Sequence, residues 1–150
     1  MKASLIYTFL LLAMATRIQK ASGARSPYGE EQLRGAAITN NVDLVKSLLE
    51  SGVDAKATNL FGWSALMDAA RYGNDKVVVL LLPKSDVQAT DNQGASALMF
   101  AAENGFAKSV DLLLPRSDPK ASNHWGKTAL DLARANRHLQ IVRLLQQYSD

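Results

Sequence analysis

The stretch FGWSALMDAARYG at positions 61–73 decides how this chain folds, because the chain contains it three times. It returns as QGASALMFAAENG at 93–105 and, more loosely, as WGKTALDLARANR at 125–137, so the copies start at equal intervals along the chain. Self-similarity at a fixed period of about 20–50 residues is the signature of a repeat architecture. The sequence therefore predicts several stacked copies of one structural unit.

Each unit has the pattern of two short helices. In SALMDAARYG, Ser64 is a helix-capping residue, Leu66 and Ala69 lie on one apolar edge, and Gly73 ends the helix. In NDKVVVLLLP, valines and leucines recur at the spacing of a buried helical face, and Pro83 ends the helix. Neither helix can bury its apolar edge alone, so neighbouring units are predicted to stack into a solenoid.

The three copies resemble the ankyrin repeat. The family phrase runs G-x-T-P-L-H-x-A-A-x-x-G-H, then an apolar helix with a leucine pair, then G-A-D-x-N; here it appears as GWSALMDAARYGN, GASALMFAAENGF and GKTALDLARANRH. EEQLRGAAITNNVDLVKSLLESGVD is an atypical first unit. The resemblance implies an all-α ankyrin-repeat solenoid of stacked helix–turn–helix units with β-turn fingers over residues 30–150. The expected units are 30–61, 62–93, 94–125 and 126–150.

The copies depart from the family phrase in two respects. Where the family has histidine, this chain has Met67, Met99 and Asp131, and the hydrogen bonds of that histidine are therefore expected to be missing. The loop after the second helix is one residue shorter in the later units, which gives a period of 32 in place of 33. Bacterial ankyrin-repeat proteins look similar in this respect, and we therefore expect a resemblance to exported bacterial members of the family.

Residues 1–24 have the pattern of a secretory leader. Lys2 precedes fourteen uncharged, mostly apolar residues, and Arg17 follows them. Fourteen residues are fewer than the roughly 20 that a membrane-spanning helix needs, and small residues lie at possible cleavage positions after Ala24 or Ala15. We expect a cleaved signal peptide, a linker at 25–29, no membrane insertion after cleavage, and a periplasmic or secreted protein; the alternatives are an uncleaved anchor and a mis-chosen start.

The net charge of +3 and the pI near 9.3 come from this leader. Three of the 17 basic residues and none of the 14 acidic residues lie in residues 1–24, which leaves the remainder with 14 of each sign. A neutral domain has no long-range field to attract phosphate. A nucleic-acid partner is therefore not expected.

The sequence contains little catalytic chemistry. It has no cysteine and only two histidines, and neither His124 nor His138 has a carboxylate and a serine placed to complete a triad. His138 is expected to be structural. The three aspartates at the repeat period should hydrogen-bond turn amides: Asp54, Asp86 and Asp118. We therefore expect no enzyme, no metal and no cofactor.

The resemblance also implies where a partner binds: at the fingertips, after the turn glycine, and at the exposed end of each first helix. Carried over by position, these residues are Leu60, Phe61, Trp63, Arg71, Tyr72, Asn92, Gln93, Glu103, Asn104, His124, Trp125 and Lys127. The second unit's set, centred on Phe61, Trp63 and Tyr72, is rich in the residue types that dominate binding hot spots. The alternative is that Trp63 and Phe61 pack the fingers together or are covered by residues 25–35.

The sequence therefore predicts a monomeric, non-catalytic module that binds a protein partner. Two narrower functions stay open beside it. The first is an exported inhibitor or immunity protein that neutralises a toxin or an enzyme, since the chain is a small exported binder with no other domain to scaffold. The second is an accessory protein that supports an envelope enzyme.

Overall fold

The computed structural model describes residues 27–148. Their helices form four consecutive pairs: α1 (Pro27–Ile38) with α2 (Val42–Glu50), α3 (Ala65–Arg71) with α4 (Asp75–Leu81), α5 (Ala97–Asn104) with α6 (Ala107–Leu113), and α7 (Ala129–Ala135) with α8 (Leu139–Gln146). A short 3-10 helix, Leu114–Arg116, extends α6. The predicted all-α solenoid of helix pairs is confirmed.

The N-terminal end differs from the prediction. Helix α1 begins at Pro27, inside the segment 25–29 that was expected to be a linker. Proline is favoured in the first helical turn because it has no N–H to leave unpaired. The predicted leader, residues 1–24, lies outside the described residues. Within residues 27–148, no helix is long and apolar enough to cross a bilayer.

The first helix of each later unit starts at a hydroxyl cap. The hydroxyl oxygens of Ser64, Ser96 and Thr128 accept hydrogen bonds from the backbone N–H three residues later, at 3.2–3.3 Å. In the last unit the Asp131 carboxylate also accepts a hydrogen bond from the Thr128 N–H at 3.0 Å, which completes a reciprocal capping box. Asp131, in the place of the family histidine, thus makes cap hydrogen bonds of its own.

The turn between the two helices of each unit requires a left-handed backbone. The four residues at this position, all with positive φ, are Asn40, Gly73, Gly105 and Arg137. At Gly73 a side chain is also excluded, because the ring of Phe106 from the next unit packs directly against its Cα. The turn glycines thus allow neighbouring units to approach closely.

The helices form two layers, with the core between them. The first helices stack on one another as an inner layer (α1, α3, α5, α7), and the second helices stack as an outer layer. Helix α3 is buried along Ala65–Ala70 because α1 and α5 cover both of its sides. Alanines such as Ala69 and Ala101 keep these inner helices close, while Leu81 and its equivalents fill the space between the layers.

Side chains also join one unit to the next. The Asn74 amide donates to the Ala37 carbonyl at 2.6 Å, and the Ser109 hydroxyl donates to Asp75 at 2.6 Å. The His138 Nε2 lies 2.9 Å from the Glu103 carbonyl, which gives His138 the structural position that we expected. Each unit is thus bonded to its neighbour, and the inner face is a continuous surface.

Candidate functional site

Each of the three fingers that flank the inner face is held by one polar side chain. Asn59 Oδ1 accepts the backbone N–H groups of Phe61 at 3.0 Å and Trp63 at 2.9 Å. Asp91 and Asn123 each bind the two equivalent amides of their own finger. These residues were not singled out in the sequence, although their equal spacing along the chain was visible there. They make each fingertip a rigid turn.

Hydrogen bonds also join successive fingers. The Asn92 N–H donates to the Phe61 carbonyl at 3.0 Å, and its side-chain amide donates to the Leu60 carbonyl at 2.9 Å. The His124 N–H donates to the Gln93 carbonyl at 3.0 Å. Hydrogen bonds therefore join the predicted fingers to one another. The side-chain amide of Asn92 already donates one of these bonds within the fold.

Trp63 lies where the second and third units meet. Its ring contacts that of Phe100 with centroids 4.5 Å apart and planes tilted by 41°. The Arg71 guanidinium carbon lies 5.0 Å from the centroid of the Trp63 ring, within cation–π range. Trp63 is half-buried, so it packs the second unit against the third, and it also supports the exposed Arg71.

Four other predicted site residues are exposed apolar or aromatic side chains. Leu60 is 94% exposed, Phe61 69%, Trp125 63% and Tyr72 50%. Helix α1, which contains most of the 25–35 segment, therefore leaves most of Phe61 uncovered. Asn104 is another predicted site residue, and its side-chain amide donates a hydrogen bond to the Phe100 carbonyl at 2.8 Å. The fingertips thus offer apolar surface that the fold itself does not use.

A groove of about 520 Å³ opens between the third and fourth units. It brings together four predicted site residues: Gln93, Glu103, Trp125 and Lys127. Its apolar lining includes three residues that the sequence analysis did not assign to the site: Met99, Phe100 and Leu132. Phe100, which is 7% exposed, both lines the groove and contacts Trp63, so the groove lies beside the aromatic residues of the second unit.

The inner layer also contains a buried carboxylate. Asp68 is 2% exposed, and Arg34 from α1 donates to it through Nε at 2.8 Å. Burial raises the pKa of Asp68, although the charge and hydrogen bond of Arg34 and the charge of Arg71 act in the opposite direction. The equivalent residues of the next units are Phe100 and Leu132. A charged residue at a position where the other units have apolar residues was the sequence signal that could have identified the pair of Asp68 and Arg34.

The remaining polar groups hold the backbone. Asp54, Asp86 and Asp118 each accept the N–H two residues later at 2.9–3.1 Å, as predicted. Within residues 27–148, no three histidine or carboxylate side chains come together as a metal site would require. The site that the structure assembles is a contact surface of aromatic, apolar and a few charged groups.

Comparison with known proteins identifies the family. The profile described as "Ankyrin repeats (3 copies)" matches residues 33–123 and 86–150. The chain is 42% identical over 71 residues to a mitochondrial disaggregase of Bos taurus. The aligned region covers 47% of this chain and 10% of that protein. It is 35% identical over 75 residues to the Notch-regulated ankyrin repeat-containing protein of Xenopus tropicalis. That aligned region covers 50% of this chain and 66% of that protein.

Each alignment thus covers less than two thirds of the relative's length. Both relatives are animal proteins, and the expected resemblance to exported bacterial proteins stays a prediction. The family profile spans most of the chain, and its two matches together include residues of all four helix pairs. The chain belongs to the ankyrin-repeat family.

Proposed function

We propose that this chain is a non-catalytic module that binds a protein partner through the inner face of the solenoid and the fingers beside it. The observation that carries the proposal is the cluster of Arg71 and Trp63 beside the 520 Å³ groove, which the nearly buried Phe100 joins by contacting Trp63 and lining the groove. Tryptophan, tyrosine and arginine supply most hot-spot energy in protein interfaces. Membership of the ankyrin-repeat family, whose members generally act as interaction modules, favours the same function.

The rigidity of the surface supports this function. Asn59 and its equivalents fix each fingertip, and the bonds from Asn92 and His124 fix one finger against the next. A surface that is already ordered loses little conformational entropy when a partner binds. The exposed side chains of Leu60 and Phe61 therefore contribute apolar area to an interface without a prior folding step.

The finer predictions rest on the sequence. Export, the monomeric state and the partner's identity stay predictions. The roles of an inhibitor and of an accessory protein gain no support from the fold or from the relatives, whose names mention neither role. General partner binding is the function that the surface favours.

The proposal is tested by capturing partners from native cells with the purified chain as bait and identifying them by mass spectrometry. One variant removes the fingertip contacts (Phe61→Ala with Tyr72→Ala), and a second changes the groove (Trp125→Ala with Lys127→Glu). Val79→Ala with Leu139→Ala is the matched control, because these apolar side chains are equally exposed but lie on the outer helices.

We expect both inner-face variants to weaken the binding of a specific partner by about tenfold or more, as the loss of hot-spot residues does. The control should bind like the wild type. A partner lost only in the control would assign binding to the outer layer. Equal binding by all three variants would contradict the proposed surface, provided that circular dichroism shows unchanged helix content.

A further inference from the structure

We propose that the partner segment carries one carboxylate beside bulky apolar side chains, with the carboxylate bound at Arg71 and the apolar side chains in the groove lined by Phe100, Leu132 and Trp125. The inference rests on the proposed function and specifies the chemistry of the partner at the same surface. It also assigns the direction of the segment along the solenoid.

Arg71 is the uncompensated charge of the inner face in the second unit. Arg34, Asp68 and Arg71 together carry a net charge of +1, and the Asp68 carboxylate is paired with Arg34 at 2.8 Å. Among the described residues, no carboxylate lies within the 4.0 Å ion-pair distance of Arg71. An exposed arginine without a carboxylate partner is available to a carboxylate from another molecule.

Stacking on Trp63 prepares Arg71 for that contact. The guanidinium lies 5.0 Å from the ring centroid, and Trp63 is itself held against Phe100. A planar guanidinium whose orientation is already set loses less entropy when it forms two parallel bonds to a carboxylate. Arg71 therefore selects an acidic group in preference to a neutral polar one.

The groove selects apolar side chains. It is an open groove, and its volume of about 520 Å³ leaves room for bulky side chains of a bound segment. The charged residues that line it, Glu103 and Lys127, have opposite signs and leave its net charge at zero. Trp125, which is exposed, and Leu132, which is partly exposed, supply the accessible apolar lining above the buried Phe100, so the favourable contribution here is burial of apolar surface.

The order of residues along the inner layer gives the segment a direction. Equivalent positions of successive first helices hold Gly35, Asp68, Phe100 and Leu132. The charged cluster of Arg34, Asp68 and Arg71 therefore lies at α1 and α3, whereas α5 and α7 have apolar residues at this position. A bound segment should place its carboxylate towards α3 and its apolar side chains towards α7. A basic segment is disfavoured, because its cation would meet Arg71 beside a groove of zero net charge.

Two synthetic hexapeptides test this inference: acetyl-Gly-Glu-Ser-Leu-Phe-Gly-amide and the same peptide with lysine in place of glutamate. Binding is followed by tryptophan fluorescence, since both tryptophans of the chain, Trp63 and Trp125, lie at the proposed surface. The wild type is expected to bind the glutamate peptide about tenfold more tightly than the lysine peptide. Arg71→Glu should reverse this preference, and Arg71→Gln should abolish it.

Lys84→Glu is the matched control, because it makes the same change of charge at an exposed position after α4 and should keep the wild-type preference. A wild-type preference for the lysine peptide, or an unchanged preference in Arg71→Glu, would overturn the inference. If neither peptide binds while a captured partner still depends on the groove residues, the inference fails and the proposed function stands. If that dependence is also absent, both fail.

Discussion

Arg137 has a backbone conformation that side chains other than glycine rarely adopt. Its φ of 60° lies in the left-handed region, at the position where the two central units have Gly73 and Gly105. We expect Arg137→Gly to raise the free energy of unfolding by about 0.5–1 kcal/mol, because glycine has no Cβ to clash there. Urea unfolding followed by circular dichroism measures the change.

Asn40→Gly is the control for that prediction. Asn40 has a φ of 55° in the first unit, and asparagine tolerates this region better than arginine does. The gain from Asn40→Gly should therefore be smaller. If Arg137→Gly destabilises the protein, the arginine side chain contributes more than the backbone conformation costs.

The pair of Asp68 and Arg34 makes stability depend on pH. The pKa of Asp68 is raised in the folded state, so its ionised form costs stability above that pKa, and the cost disappears as the pH falls towards the ordinary value. Arg34→Met leaves a buried carboxylate unpaired and should cost about 2–3 kcal/mol at pH 7. The deficit should shrink on acidification, since protonated Asp68 needs no cation.

Denaturant unfolding of Arg34→Met at several pH values measures this effect. The matched variant is Arg34→Met with Asp68→Leu, which places at position 68 the residue that the last unit has at Leu132. A well-packed apolar replacement of a buried ion pair is often neutral, so the double variant should recover most of the loss. A double variant no more stable than the single one would show that the pair is not the cause.

Among the elements, α7 has the most complete N-terminal cap. Hydrogen bonds from the Thr128 backbone and hydroxyl hold the pKa of Asp131 below its usual value. A lowered pKa means that the carboxylate stabilises the fold above its ordinary pKa, and that this stabilisation is lost as the pH falls through the folded value. Asp131→Ala should cost about 1 kcal/mol at pH 7 and much less in strong acid.

Urea unfolding of Asp131→Ala at pH 7 and in strong acid measures this difference. Asp131→Met is a useful comparison, since Met67 and Met99 occupy the equivalent positions of α3 and α5. A deficit that persists unchanged in acid would indicate lost packing in place of a lost cap.

The helices were largely predictable from the sequence, and the site was predictable in part. The fixed period, the hydroxyl caps and the turn glycines specify each helix pair locally. Contacts between units are different, because Trp63 against Phe100 or Arg34 with Asp68 joins residues that belong to different units. Their pairing depends on how the helices stack, which the pattern of one unit does not contain.

At the scale of the whole solenoid, over residues 27–148, each central unit packs against a unit on both sides, and the first and fourth units pack against one. Helix α3 packs on both α1 and α5, whereas α7 packs on α5 and on its own partner α8. In a solenoid, stability is approximately a sum over units and the interfaces between neighbours. We therefore expect amides in α2 and α8 to exchange with solvent at least about tenfold faster than those in α4 and α6.

Hydrogen exchange with mass spectrometry resolves these helices. Val77 and Val78 in α4 should be among the most protected residues, since both are fully buried. Uniform exchange in all four units would show that the protein opens only as a whole.

The bonds between successive fingers repeat with the sequence. The Phe61 carbonyl accepts from the Asn92 N–H, and one repeat later the Gln93 carbonyl accepts from the His124 N–H in the same way. A second copy of residues 94–125 inserted before residue 126 would keep the interface with residues 126–150 and add one new interface between the two copies, in which Phe106 of the second copy takes the place of His138 against Gly105. Tandem duplication of this one segment would lengthen the molecule by about 10 Å and leave every existing joint intact.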